Sequence, residues 1–275
     1  MAKQLVSDEL WSRIEPLLPP EKPRRFRFPG RRPIDRRSVL TGIIFVLKTG
    51  IAWDDLPAEL GWGCGRTCRE ALAAWQRAGA WDRLHEMLLD ELGDEGLIDW
   101  SRALIDSASS KAPKGGALTG PNPTDRRKKG SKHHVITDAR GVPLAIELTG
   151  ANRHDTTQML PLVDAIPPIK GPRGRPRRRP ERVQGDRAYD SKKNREGLRR
   201  RRIEPVLAER GTEHGSGLGK TRWYVERTLS WLHQYGRLRV RWDRLPEVQR
   251  GWMALAGSLI CLRLLLYCTF RDLLP

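Results

Sequence analysis

The spacing of apolar residues changes near residue 100, and that change limits what this chain can fold into. Before it, apolar side chains return every three or four positions; after it, short β-prone runs alternate with helical stretches. In Ser7 to Leu18, the residues Leu10, Trp11, Ile14, Leu17 and Leu18 mark one helical face, ended by Pro19 and Pro20. Asp35 is placed to cap a helix through Val39, Leu40, Ile43, Ile44, Phe45 and Leu47 that stops at Gly50. Thr67-Cys-Arg-Glu70 reads as a capping box opening a helix with Leu72, Trp75 and Gln76 and an end near Gly79. Another helix continues from Trp81 through Leu84, Met87, Leu88 and Leu92. Short helices joined by glycine turns suit a helix-turn-helix module, as they suit many small helical bundles. The tryptophans of this region are read as core.

Beyond the change, Arg102-Ala-Leu-Ile-Asp106 is a short apolar run ending in an acid, and Lys111 to Lys129 has loop composition. Two runs, His133 to Thr137 and Val142 to Thr149, flank Asp138-Ala-Arg-Gly141 in a hairpin pattern. Asp155 is placed to cap a helix holding Met159, Leu160, Leu162 and Val163. Lys170 to Arg182, seven basic residues and three prolines, predicts an exposed flexible loop. Val183 to Asp186 reads as a strand, Ser191 to Arg202 as a basic helix, and Ile203 to Ala208 as a strand. Helices over about Lys220 to Tyr235 and Leu245 to Phe270 close the chain. That order predicts a mixed α/β sheet covered by helices.

Charge divides at the same place. The chain holds 51 Lys+Arg and 33 Asp+Glu, net +18, yet residues 1–100 carry 15 basic and 16 acidic residues. The surplus therefore belongs to residues 101–275, and it points to a polyanionic partner. A local basic arm lies between Lys22 and Arg37, readable as a solvated linker or as a phosphate contact. Four cysteines, Cys64, Cys68, Cys261 and Cys268, are too few for a disulfide scaffold; they read as buried apolar residues in a reducing cytoplasm. Trp252 to Leu262, an apolar stretch eleven residues long, reads as a core helix and no membrane is expected. With no Gly-x-x-x-x-Gly-Lys-[Ser/Thr] loop, no nucleotide cofactor is expected.

Phosphodiester chemistry needs divalent cations on hard oxygen ligands, and carboxylates on short rigid elements supply them. Asp106 ends its apolar run. Gly185-Asp-Arg-Ala-Tyr-Asp190 offers Asp186 and Asp190, either of which could be a ligand. Glu226 shares a helical face with Arg222, four positions earlier. Taken singly, each acid also reads as an ordinary surface residue.

Taken together, the motifs resemble the bacterial insertion-sequence transposases with a DDE triad, in the group typified by insertion sequence five. The matching blocks include Ala103-Leu-Ile-Asp-Ser107, His133 to Leu144, Leu148-Thr-Gly-Ala-Asn-Arg-His-Asp155, Gly185 to Asp190, His214 to Gly219 and Arg222-Trp-Tyr-Val-Glu-Arg-Thr-Leu-Ser-Trp-Leu-His233. Leu40 to Trp53, Asp55-Leu-Pro57 and Trp75 to Trp81 match in the first hundred residues.

The resemblance implies a ribonuclease H-like α/β domain over 99–275, with a flexible basic loop at 168–182, preceded by a helix-turn-helix-like all-α domain over 1–98. It assigns the catalytic, metal-binding triad to Asp106, Asp186 and Glu226, holding two Mg²⁺ ions for which Mn²⁺ can substitute. It implies double-stranded DNA as partner, at element ends and at the target, and a homodimer or larger assembly on it. Of the related Tyr-x2-Arg-x3-Glu-x6-Lys pattern, Arg222 and Glu226 match, while Gly219 and His233 replace the Tyr and the Lys. DNA contacts are expected from Arg222, Lys220, Arg187, Arg177, Arg178, Arg179, Lys192 and Lys193, and end reading from Arg66 and Arg69. The competing readings are a ribonuclease H-like nuclease without strand transfer, a decayed DNA-binding protein and a general polyanion binder.

Overall fold

The structure, a computed structural model, describes residues 4–21, 23, 26–28, 30, 32–208 and 219–271. Part of the Lys22–Arg37 arm and most of the His214–Gly219 block lie outside the described residues.

Helix α1 (Asp8–Ile14) starts at Ser7, whose hydroxyl accepts from Leu10 N, and a 3₁₀ turn over Glu15–Leu17 carries it to the prolines. Helix α2 (Arg36–Thr49) is capped by Asp35, which accepts from Ser38 N, and ends at Gly50 in the left-handed region, as expected. Helix α3 (Gly65–Arg77) corrects the capping-box reading: it starts two residues before Thr67, with Cys64 as its N-cap residue. Glu70 pairs with Arg66 at 2.8 Å, and Thr67 Oγ1 meets Cys64 Sγ at 3.3 Å, so neither residue caps. Cys64 is exposed at this helix start, unlike the buried Cys68 and Cys261. Helix α4 (Ala80–Asp94) follows the left-handed Gly79.

The sheet begins with β1 (Ala103–Lys111), which runs five residues past Asp106. Its polar half, Ser107 to Lys111, pairs antiparallel with Gly130–His134 of β3 (Lys129–Asp138), while β2 (Gly120–Pro121) edges the start of β3. Cross-strand pairing of polar residues extends both strands up to the edges of the loop read over 111–129, inside which only the short β2 forms. Strand β4 (Pro143–Gly150) completes the hairpin with β3. Strands β5 (Arg182–Gly185) and β6 (Glu204–Leu207) lie parallel, β5 also pairing parallel with β1. The order is β4-β3-β1-β5-β6, three antiparallel strands followed by two parallel ones, the ribonuclease H-like arrangement.

Helix α5 (Met159–Ala165) packs on β3 and β4, and α6 (Lys192–Arg200), capped by Ser191, packs on α5 and β6. Asp155 does not cap α5: it lies in a separate 3₁₀ turn, and its carboxylate turns to Ser107 and Lys132. The basic loop is exposed from Pro172 to Arg179, closed at its base by a bridge between Ile169 and Arg177, and Arg182 belongs to β5. On the other side, α7 (Gly219–Gln234) packs against β1 and β3, and the single turn α8 (Gly236–Arg239) leads to α9 (Pro246–Arg271). Helix α9 has the length and mean hydropathy to cross a membrane, yet most of it is buried against α3, α4 and β4. Trp252, Leu255, Ala256 and Cys261 are fully buried there, so one apolar core joins the helical region to the sheet.

Candidate active site

Strand pairing alone sets the first two acids side by side. Ala103 pairs with Val183 and Leu104 with Gln184, an offset of 80 residues, and continuing it aligns Asp106 with Asp186. Gly185 permits this closeness: a Cβ there would lie 3.0 Å from Ile105 Cγ2 and 3.3 Å from both Leu207 and Met159. Backbone amides orient both carboxylates, Ser107 N donating to Asp106 Oδ1 at 2.8 Å and Ala188 N to Asp186 Oδ1 at 2.9 Å. Asp190, the other candidate in that block, instead pairs with Arg195 at 2.8 Å.

Helix α7 supplies the third acid. Its first turn is pinned to the sheet by Thr221 Oγ1, which donates to Gln184 Oε1 at 3.0 Å, while Arg102 Nη1 donates to both. One residue on, the Arg222 guanidinium meets all three acids: Asp106 at 3.2 Å, Asp186 at 3.5 Å and Glu226 at 3.1 Å. The three carboxylates therefore surround one cation.

Burial raises the Asp106 pKa above the ordinary carboxylate value, opposed by Arg222 and the Ser107 amide and reinforced by Asp186. Burial opposes the Arg222 charge, but Asp106, Asp186 and Glu226 outweigh it and raise its pKa.

Beneath Asp106 lies a support that the sequence does not announce. Ser107 Oγ donates to Asp155 Oδ1 at 2.8 Å, and Lys132 Nζ reaches the same oxygen at 3.0 Å. Buried Tyr189 is held protonated by desolvation and by its proximity to Asp155 and Asp106. The His-Asp155 end of the third matching block hints at this shell, and it gives no direction for the side chain.

Hard oxygen donors from a strand, a strand end and a helix have the chemistry to hold divalent cations. Among the described residues no three carboxylates, imidazoles or thiols are grouped as ligands of a single ion, and the Arg222 guanidinium contacts each of the three acids. Ion binding at these oxygens therefore requires Arg222 to turn aside.

A sequence model described as "Transposase DDE domain" matches residues 99–261, and one described as "Putative transposase of IS4/5 family" matches residues 6–85. The chain belongs to the DDE transposase family. Its activity is DNA transposition, and the expected fold and family both hold. It is 56% identical over 168 residues to a Burkholderia cepacia protein described as "Putative transposase for insertion sequence element IS402", covering 61% of this chain and 78% of that one. It is 31% identical over 117 residues to the transposase for insertion sequence element IS1106 of Neisseria meningitidis serogroup B, covering 39% of this chain and 37% of the other. Among solved structures, the pre-cleavage Mos1 transpososome is 13% identical with a TM-score of 0.28, over 86% of this chain and 81% of that one.

The expected DNA-contacting residues are spread widely. Arg222 is at the acids, and Arg187 directly follows Asp186. Arg178 and Arg179 hold the basic loop by donating to the Ile166 and Arg201 carbonyls, and Arg177 lies over the Trp100 ring. Lys192 and Lys193 are exposed on α6, Arg66 and Arg69 on α3. The side chain of Lys220 lies outside the described residues. His233, at the pattern's Lys position, faces inward onto His133 at 3.2 Å.

Proposed function

We propose that this transposase cuts the ends of its element by metal-dependent phosphodiester hydrolysis and joins the freed 3′-hydroxyls to target DNA. The observation that carries the reading is the convergence of Asp106, Asp186 and Glu226 on Arg222. Asp106, Asp186 and Glu226 would hold two Mg²⁺ ions. When bound, such a pair stabilises the attacking and leaving oxygens of an in-line displacement. The chain's own part is to fix the oxygens. Ser107 N and Ala188 N orient two carboxylates, and the Arg102–Gln184–Thr221 cluster fixes the start of the helix bearing the third. Arg222, released from the acids, is one side chain away from a phosphate lying over them and can pair with it in bidentate fashion.

In the same reading, residues 99–275 carry the chemistry, the exposed loop and α6 follow the DNA backbone, and residues 1–98 recognise the inverted repeats. Two ends must be joined, so the working assembly holds at least two copies of the chain. The test is cleavage of a duplex carrying an element end, with and without Mg²⁺. Asp186→Asn should abolish cleavage and leave duplex binding intact; undiminished cleavage would remove the triad from the account.

A further inference from the structure

A second cleft, of about 820 Å³, opens where the helical region meets the segment between α8 and α9. It lies among Trp53, Arg66, Arg69, Lys114, Arg237, Trp242 and Arg244, with Asp54 and Asp243 as its acids. Its walls are joined by close backbone contacts. A Cβ at Gly65 would fall 1.7 Å from the Trp53 carbonyl oxygen, and one at Gly116, whose φ is +119°, 2.3 Å from that of Arg244. Buried Arg241 ties the same walls, donating to Ala117 O at 2.7 Å, Leu118 O at 3.0 Å and Arg244 O at 3.3 Å. The cleft is a built feature of the fold.

At its floor is a cation without adequate partners. Arg237 is 2% exposed, and neither its Nε nor its Nη2 has a hydrogen-bond partner among the described residues. Its nearest carboxylate, Asp243, is 3.7 Å from Nη1 and already accepts the indole N–H groups of Trp53 and Trp252, each at 3.1 Å. The Trp53 ring under the guanidinium, 5.3 Å away, is the remaining support. A buried guanidinium with two unmet donors calls for an anion. Arg69, Lys114 and Arg244 at the exposed rim reinforce that demand; Arg66 also stands there, paired with Glu70. Trp242, 40% exposed, adds an uncovered aromatic face among these cations.

We propose that this cleft binds a nucleotide of unpaired DNA, its phosphate received by Arg237 and the rim cations and its base stacked on Trp242. The volume lies within the roughly 300–1,000 Å³ of small-molecule sites. Only an unpaired base offers a free π-face, so duplex DNA does not satisfy both halves of the site. The proposal rests on DNA being the substrate, and it concerns unpaired strands rather than the cut itself.

The test is binding of a fluorescein-labelled single-stranded hexathymidylate and of a 20-base-pair duplex, both without Mg²⁺, so that triad chemistry plays no part. Trp242→Ala and the rim double variant Lys114→Ala/Arg244→Ala should each weaken hexathymidylate binding about tenfold and duplex binding less than twofold, while Trp242→Phe stays near wild type. All these positions are exposed, and circular dichroism checks their folding. Unchanged hexathymidylate binding, or equal losses on duplex, would overturn the proposal. Asp186→Asn should bind hexathymidylate normally, so failure of the cleft and failure of the triad give different results.

Discussion

Two arginines, Arg222 and Arg237, occupy opposite electrostatic situations. Arg222 is over a third exposed and has three carboxylates around it; Arg237 is 2% exposed, and its nearest carboxylate, Asp243, is 3.7 Å away and already engaged. The first basin is short of positive charge and suited to cations; the second is short of negative charge and suited to phosphate. What a site will bind thus follows from its unbalanced charge, more than from its count of Arg or Asp. The net +18 of the chain conceals both cases.

The comparison can be broken most forcefully at the acids. Asp106→Asn and Glu226→Gln should each lower cleavage at least about a thousandfold, and the double variant should be no worse than either, as residues acting as one unit behave. Additive losses would show separate roles. Arg222→Ala should cost less, about ten- to a hundredfold, and should move the acid limb of the pH–rate profile upward. Asp106, whose pKa is already raised by burial, would lose the main group that lowers it and would need higher pH to ionise. An unmoved acid limb would detach Arg222 from Asp106.

Smaller effects sharpen the surroundings. Burial lowers the pKa of His85 to about 4, of His133 to about 3 and of His134 to about 4, all below the ordinary 6.5. These groups stay neutral in the fold while the unfolded chain takes up protons below that ordinary value. Stability should therefore be full above about pH 6.5 and fall on acidification toward the folded values, by about 1–2 kcal/mol per histidine near pH 5. Thermal melts from pH 7 to 5 read this directly, and His133→Gln should flatten the curve. Smallest of all, Lys192→Ala and Lys193→Ala should each reduce the salt slope of duplex binding by about 0.9 while leaving sequence preference unchanged.

The two regions were not equally legible in the sequence. Helix ends marked by Asp35, Gly50, Gly79 and Ser191 stand where local capping chemistry puts them. The acids could be found because a strand, a strand end and a helical i, i+4 pair each leave a local trace, and the family resemblance joined them. Register then adds what no local pattern shows: continued two residues beyond Leu104 and Gln184 it aligns Asp186 with Asp106, while Asp190 pairs with Arg195. The Asp155 and Ser107 support, the inward turn of His233 and the cleft over Arg237 arise from contacts between segments some 50 to 190 residues apart. Their composition looked like ordinary loops and helix ends. Thr67 and Glu70 misled for the converse reason, since a capping-box spelling was overridden by the packing of Gly65 on Trp53.

The central claim is that the acids around Arg222 both cut and join DNA. Its most direct test is strand joining: a duplex with a pre-cut element end is incubated with supercoiled plasmid and Mg²⁺, using wild-type protein and Asp186→Asn. The account predicts plasmid-joined product with wild type and none with the variant, at equal binding of the end. Joined product from Asp186→Asn, or efficient cutting by wild type with no joining under any divalent ion, would contradict it.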